Sequence, residues 1–412
     1  MKYLHETIRD YVIVYETARD GYADVAEHLR EKIQNATGQS LSVKADSECA
    51  ETDKEILIGR TNRTFSSECY GAFEELLTCR MIAKDGRIQM VSGGPYSAQA
   101  CADEFVDLFL SEEPKPFCDG CCFEKDLRAD FSLNFEHTKG ADLRVMSYNI
   151  LCVRWSKTPL VTQRAEIVAA VLALYQPDVV GAQEVDEPWV AHLQGYCEIL
   201  KKQYGVEYSM IMNTYENIPN FNAILYRSDK MTLESSDVDV VSWWKTDYDN
   251  KGYHLRNVTW AKFRMGEKQF ILANTHWGSG IPQQVMIEAQ EEADLINCLS
   301  EEHGVPIFCT GDFNSFFIDE HMKLFVSEAK LRHLFWEAME AKVLVNENSG
   351  IGRVGEPRVK KADNYIDHVI GRGDYTVKKY ETLLGEALKW VSDHSPHYAD
   401  VALYSNHTLE NK

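Results

Sequence analysis

The sequence predicts an α+β protein in two domains, a small α+β domain followed by a larger one built from two sheets with helices outside. Three observations lead there. The chain has 412 residues, more than a single hydrophobic core usually organises. Residues 1–111 alternate strand-like and helical segments and then give way to a polar stretch. From Leu143 onward strand-like and helical runs interleave to the end, a series of roughly 260 residues that fits one two-sheet domain.

Taken in order, Tyr11-Val12-Ile13-Val14-Tyr15 reads as the first strand. Asp20 can cap a helix whose apolar positions Tyr22, Val25, Ala26, Leu29 and Ile33 recur at spacings of three and four, and Gly38 closes it. Glu55-Ile56-Leu57-Ile58-Gly59 reads as a buried strand. Asp85-Gly86, between Met81–Lys84 and Arg87–Val91, is a strong two-residue hairpin signal. A helix from about Tyr96 to Leu110 ends this part. Residues 112–141 carry Pro114, Pro116, Gly120 and Gly140 with few periodic apolar positions, and read as a linker or wrapping extension. Residues 142–412 then form the second domain. Its strands are expected at 143–149, 179–185, 208–212, 223–227, 260–264, 269–275, 306–310, 365–370 and 398–403, its helices at 163–175 and 283–300.

Composition narrows the class. With 44% hydrophobic and 26% charged residues this is ordinary globular material. A formal charge of -21 argues against a broad basic face that grips nucleic acid, although a bound cation can reverse the local field at one site. No apolar run approaches the roughly 20 residues of a membrane span. Glu6 and Asp10 interrupt the amino terminus before any signal-like stretch forms, so a cytoplasmic location is expected. Most of the eleven cysteines sit in apolar elements and read as free thiols. The Cys118-Asp119-Gly120-Cys121-Cys122 cluster has no second Cys/His pair at finger spacing, which favours a surface redox cluster or incidental loop thiols over zinc.

Several expected strands of the second domain stop at polar residues. Arg144 to Asn149 ends on an amide, Val179 to Glu184 on a carboxylate, Ile271 to His276 on an imidazole, and Ile307 to Asn314 on Asp-Phe-Asn. Late in the chain, Ser392-Asp393-His394 places a carboxylate beside an imidazole just before a strand. Strands of one sheet that stop together aim these groups into one crevice, where they can hold a cation and a proton acceptor.

In this order, Asn149, Gln183-Glu184, Thr275-His276, Gly311-Asp312-Phe313-Asn314, Ile366-Asp367 and Ser392-Asp393-His394 resemble the motifs of the endonuclease/exonuclease/phosphatase superfamily. That superfamily includes abasic-site endonucleases, pancreatic-type deoxyribonuclease, neutral sphingomyelinases and inositol polyphosphate phosphatases. The resemblance covers about 142–404. It implies a four-layer α/β/β/α sandwich and metal-dependent hydrolysis of phosphoesters. It also implies Mg²⁺, or Mn²⁺, on Glu184 with Asn149 and Asp393 close by, since magnesium takes oxygen ligands and needs few carboxylates. By the same resemblance His394, oriented by Asp367, or Asp312 takes the proton from water, while His276 and Asn314 neutralise charge on phosphorus. His368 reads as packing beside Asp367. Residues 1–111 weakly resemble the non-catalytic α+β domain that precedes the barrel in several glycoside hydrolases, through Ala36-Thr37-Gly38 and Glu55 to Thr61, which suggests a positioning module.

Asn222, Arg256 and Trp277 are candidates for substrate binding, with Trp277 either a wall of the pocket or a core residue. A basic run from Arg353 to Lys361 precedes the Asp367 strand and could grip an anion. The acidic balance favours a small or lipid-like phosphoester, or a sugar phosphate, over nucleic acid. The alternatives are a DNA or RNA nuclease of the same superfamily and a non-catalytic, carbohydrate-associated binding protein.

Overall fold

The computed structural model describes residues 3–70, 75–128, 131, 136–154, 160–212, 221–245, 253–279, 282–342, 366–385 and 387–404. The basic run at 353–361 lies outside them. The chain divides into two compact units, Met1–Asp130 with Pro159–Ala170, and Phe131–Thr158 with Val171–Lys412. Among the described residues, no helix is long and apolar enough to cross a membrane.

In the first unit the elements are β1 (Val12–Tyr15), α1 (Tyr22–Thr37), β2 (Ser42–Ala45), β3 (Glu55–Ile58), α2 (Thr64–Tyr70), β4 (Thr78–Lys84), β5 (Arg87–Ser92), α3 (Pro95–Phe109) and β6 (Cys122–Asp126). The sheet runs β2-β1-β3-β5-β4-β6. Tyr22, Val25, Ala26, Leu29 and Ile33 are all buried, so the helical spacing marks the packed face of α1. Its amino-terminal cap is Gly21 at φ 90°, with no side-chain cap from Asp20, and Gly38 closes it at φ 73° by donating to Gln34 O. The β4–β5 turn has Asp85 at φ 52° and Gly86 at φ 78°, the two left-handed residues that the Asp-Gly pair favours. β6 comes from the polar 112–141 stretch and pairs with β4 as an edge strand.

Residues 143–403 supply β7 (Leu143–Asn149), α4 (Val161–Tyr175), β8 (Val179–Val185), α5 (Glu187–Ile199), β9 (Tyr208–Ile211), β10 (Phe221–Arg227), β11 (Thr232–Lys245), β12 (Tyr253–Met265) and β13 (Lys268–His276). They continue with α6 (Pro282–His303), β14 (Ile307–Asp312), α7 (Glu320–Glu328), β15 (Arg332–His333), α8 (Leu334–Glu337), β16 (Glu340–Lys342), β17 (Asp367–Arg372), β18 (Tyr375–Thr382) and β19 (His397–Leu403). One sheet runs β16-β18-β19-β7-β8-β10-β9, the other β11-β12-β13-β14-β17-β15. Leu143, Val145, Val179 and Ile224 of the first pack with Phe270, Leu272, Phe308 and Val369 of the second to form the core between the sheets. On the second sheet's other face, Ile271, Ala273, Ile307 and Cys309 meet Val285, Ala289 and Ala293 of α6 and Met322 and Phe325 of α7. The result is the expected four-layer α/β/β/α sandwich.

Strand alternation then decides where polar residues go. Phe270 and Leu272 face the core between the sheets, so Asn274 and His276 follow on that side of β13. By the same period of two, Thr310 and Asp312 follow Phe308, Asp367 precedes Val369, and Ser147 and Asn149 follow Val145. These strands become polar at one end of the sandwich.

Candidate active site

Three of these residues form a row across one sheet. His276 on β13 is the register partner of Asp312 on β14, and Asp312 is the partner of Asp367 on β17. Opposite them, Asn149 on β7 pairs in register with Gln183 on β8. Glu184 would point away from Gln183 by simple alternation, but its φ of 60° breaks the pattern. Its Oε1 accepts from Asn149 Nδ2 at 3.1 Å and its Oε2 from the Cys152 N–H at 3.1 Å.

His394 enters from the loop before β19. Its Nδ1 meets Asp367 Oδ2 at 2.7 Å, and its Nε2 lies 3.5 Å from Asp312 Oδ2 and 3.8 Å from Asp393 Oδ1. The Ser392 hydroxyl accepts from the His394 backbone N–H at 3.1 Å, a local turn that fixes the loop. His276 Nε2 also stands 3.5 Å from Asp312 Oδ2, and Arg256 donates to His276 O at 3.0 Å. Asn314, at φ 48°, donates its backbone N–H to Asp312 Oδ1 at 2.9 Å and its Nδ2 to Trp277 O at 2.9 Å.

Burial sets the electrostatics. It pushes the Asp312 carboxyl up to about 7, with His394 only partly offsetting it. Burial and the Arg256 guanidinium drive His276 down to about 3, so it is neutral. Burial also works against charge on His394, yet Asp367 and Asp312 outweigh it and hold the imidazole well above its usual range. Glu184 and Asp367 both lie below the usual carboxylate range. Burial opposes their charge, but His276 and the Cys152 N–H favour it at Glu184, and His394 favours it at Asp367.

Two groups among the described residues bring three donor atoms within 4.8 Å of one another: Glu184, His276 and Asp312, and Asp312, Asp367 and His394. Buried carboxylates packed this closely repel one another, and an oxygen-rich set of this kind suits a hard divalent cation. The residues present fit such an ion. Asp393 belongs to neither group; its Oδ1 is buried with no hydrogen-bond partner.

Asn149, a candidate metal ligand, accepts the Leu151 N–H on Oδ1 at 3.0 Å while its Nδ2 donates to Glu184 and Asp312. One sequence expectation needs correction: Trp277 does not wall a pocket. Its indole is fully buried against Phe313 and Phe325 in the core beneath α6 and α7, and its Nε1 donates to Glu292 Oε2 at 2.7 Å. Asn222 is buried and spends Nδ2 on Asn257 O and Oδ1. Arg256 lies against His276 as described. His368 packs on Phe313 and Phe317 and meets Ser315 O at 2.9 Å. The Cys152 N–H on Glu184 escaped sequence reading, because a backbone donor leaves no mark in residue type.

The family model described as the Endonuclease/Exonuclease/phosphatase family matches residues 146–394. Nocturnin of Drosophila melanogaster is 24% identical over 194 residues, which are 43% of this chain and 29% of that protein. The match thus spans under a third of that relative. An endonuclease/exonuclease/phosphatase from Bacteroides vulgatus superposes with a TM-score of 0.51 at 22% identity, covering 64% of this chain and 99% of its own. A mannosyl-6-phosphatase of Bacteroides thetaiotaomicron does so with a TM-score of 0.50 at 21% identity, covering 63% and 99%. At such identities these structures speak for the fold alone. Family membership assigns phosphoester hydrolysis in general, by phosphatase or nuclease chemistry. With the motifs, the sandwich and the buried acid–imidazole cluster in agreement, the chain belongs to the endonuclease/exonuclease/phosphatase family.

Proposed function

We propose that this chain hydrolyses a small or lipid-like phosphoester, or a sugar phosphate, with a divalent cation, Mg²⁺ or alternatively Mn²⁺. The observation that carries this reading is His394 held between Asp367 at 2.7 Å and Asp312 at 3.5 Å, beside Glu184 and His276. Asp367 orients the imidazole and turns Nε2 toward Asp312. Asp312 and His394 then form the pair that takes and passes the proton of the attacking water. His276 and Asn314, both on Asp312, are the donors we assign to the phosphoryl oxygens. Glu184 and Asp312, with Asp393 as a further oxygen donor, would hold the cation, which supplies Lewis-acid charge to the phosphoryl group.

Both three-donor groups lie in the second unit, which supports reading 142–412 as the catalytic domain and 1–111 as an accessory domain. All eleven cysteines are free, which supports a reducing, cytoplasmic setting.

A panel of phospholipid, inositol phosphate, sugar phosphate and nucleic acid substrates, assayed with Mg²⁺ and with chelator, tests the proposal. Hydrolysis is expected to stop with chelator, and Glu184→Gln or His394→Ala to lower kcat by about 10²–10⁴. Wild-type activity that survives chelation, or either variant working at full rate, overturns it.

A further inference from the structure

Directly beneath the row of His276, Asp312 and Asp367 lies a second polar layer that the proposed chemistry does not use. Asn274 and Thr310 are register partners two residues before His276 and Asp312, on the same face of their strands. Asn274 is fully buried and makes four hydrogen bonds. Its Nδ2 donates across the sandwich to Ala182 O at 3.0 Å and Ala223 O at 2.9 Å, carbonyls of β8 and β10. Its Oδ1 accepts from Gln183 Nε2 at 2.6 Å and from Thr310 Oγ1 at 3.2 Å. Both amide orientations are thereby distinguished, because only one sets nitrogen against two carbonyls. Gly181 leaves the room this crossing needs, since a Cβ there would collide with Thr310 Oγ1 and Asn274 Oδ1.

The candidate cation donors come from opposite sheets, Glu184 from β8 and His276 and Asp312 from β13 and β14. Apolar packing alone leaves sheets some freedom to slide, whereas a hydrogen-bonded amide is directional. Asn274 reaches Ala182 and Gln183, the two residues that precede Glu184, and stands two residues before His276. We propose that Asn274 is a positioning residue: bridging the sheets one layer below the site, it fixes the separation of Glu184 from His276 and Asp312. The proposal rests on the hydrolase reading above, and Gln183 and Thr310 orient the bridge.

Asn274→Leu removes all four bonds while keeping the branched four-atom shape of the side chain. Thr310→Val removes one of them, and Thr310→Ser keeps it. The measurements are direct Mn²⁺ binding to the full chain by paramagnetic resonance, kcat and KM on a phosphoester that the wild type cleaves, and thermal melting. Asn274→Leu is expected to weaken Mn²⁺ binding and lower kcat by about 10–100-fold each, the usual scale for a support behind metal ligands, with KM nearly unchanged. Thr310→Val should lose about 2–10-fold, and Thr310→Ser should stay near wild type. A folded Asn274→Leu with wild-type Mn²⁺ affinity and kcat overturns the proposal, since a merely structural role would show only in the melt. If Asn274→Leu does not fold, equal Mn²⁺ affinity and kcat in Thr310→Val and Thr310→Ser overturns it. A wild type that neither binds Mn²⁺ nor cleaves any phosphoester fails differently, because it removes the hydrolase reading and this proposal with it.

Discussion

Glu292 on α6 is wholly buried; it accepts the Trp277 indole N–H at 2.7 Å and a hydrogen bond from the Thr275 side chain. Burial pushes its carboxyl up to about 8, with Glu288 one turn away adding repulsion and Trp277 opposing the rise. An unfolded glutamate titrates near 4.3, so between about pH 4.5 and 8 the folded state holds a proton that the unfolded state has released. Stability is therefore fully present below the unfolded value and is lost as pH rises toward 8, at up to about 1.4 kcal/mol per pH unit. Glu292→Gln is expected to melt like wild type near pH 4.5 and above it at pH 8, in thermal scans across that range; parallel wild-type and variant curves would exclude the shift. The same pair shows what adjacency in sequence hides. Trp277 follows His276 and invites a role in the pocket, but consecutive residues leaving a strand face opposite sides. His276 turns to the site and Trp277 to the helices, a distinction that alternation from Phe270 already contained.

Among elements, the Asp85-Gly86 turn was legible because the residue type determines the backbone. Both positions have positive φ, and a Cβ on Gly86 would come within 2.9 Å of Asp53 O. Gly86→Ala should cost about 1–2 kcal/mol of stability in thermal or urea unfolding and leave phosphoester hydrolysis unchanged. A loss of activity without a loss of stability would contradict that separation of hairpin from site. β6 was hidden for the opposite reason: as an exposed edge strand, Cys122–Asp126 pairs through its backbone and packs only Phe123 on the core, too little apolar pattern to reveal it. The polar front of β11, from Glu234 to Asp239, is similar, since β12 lends it hydrogen bonds that no local pattern announces. The buried β7 and β8 were found to the residue and β13 within one, and β14 was located although it runs two residues past its expected end, because runs bounded by polar ends are strong signals. Their polar ends also revealed most of the site, whereas the left-handed Glu184 and the bridge at Asn274 depend on contacts between sheets.

At the scale of the molecule, 64 acidic residues against 43 Lys and Arg make the average field repulsive to polyanions. The site escapes this only locally, through Arg256 at His276 and the cation its carboxylates fit. A duplex-binding nuclease needs many phosphate contacts, and six to ten of them make affinity fall about 10³–10⁵-fold between roughly 50 and 200 mM salt. A ligand with one phosphoryl group inside a buried site feels salt mainly through screening, with a Debye length of about 8–10 Å in that range. On the preferred substrate, kcat/KM is therefore expected to change by less than about threefold over that range, since few counterions are released. Duplex DNA should be cleaved far less efficiently at every salt concentration. Steady-state rates on both substrates over a salt series decide the matter. A steep power-law decline, with DNA the better substrate at low salt, would show that local positive charge overrides the average charge, and would move the chain to the nuclease side of its family.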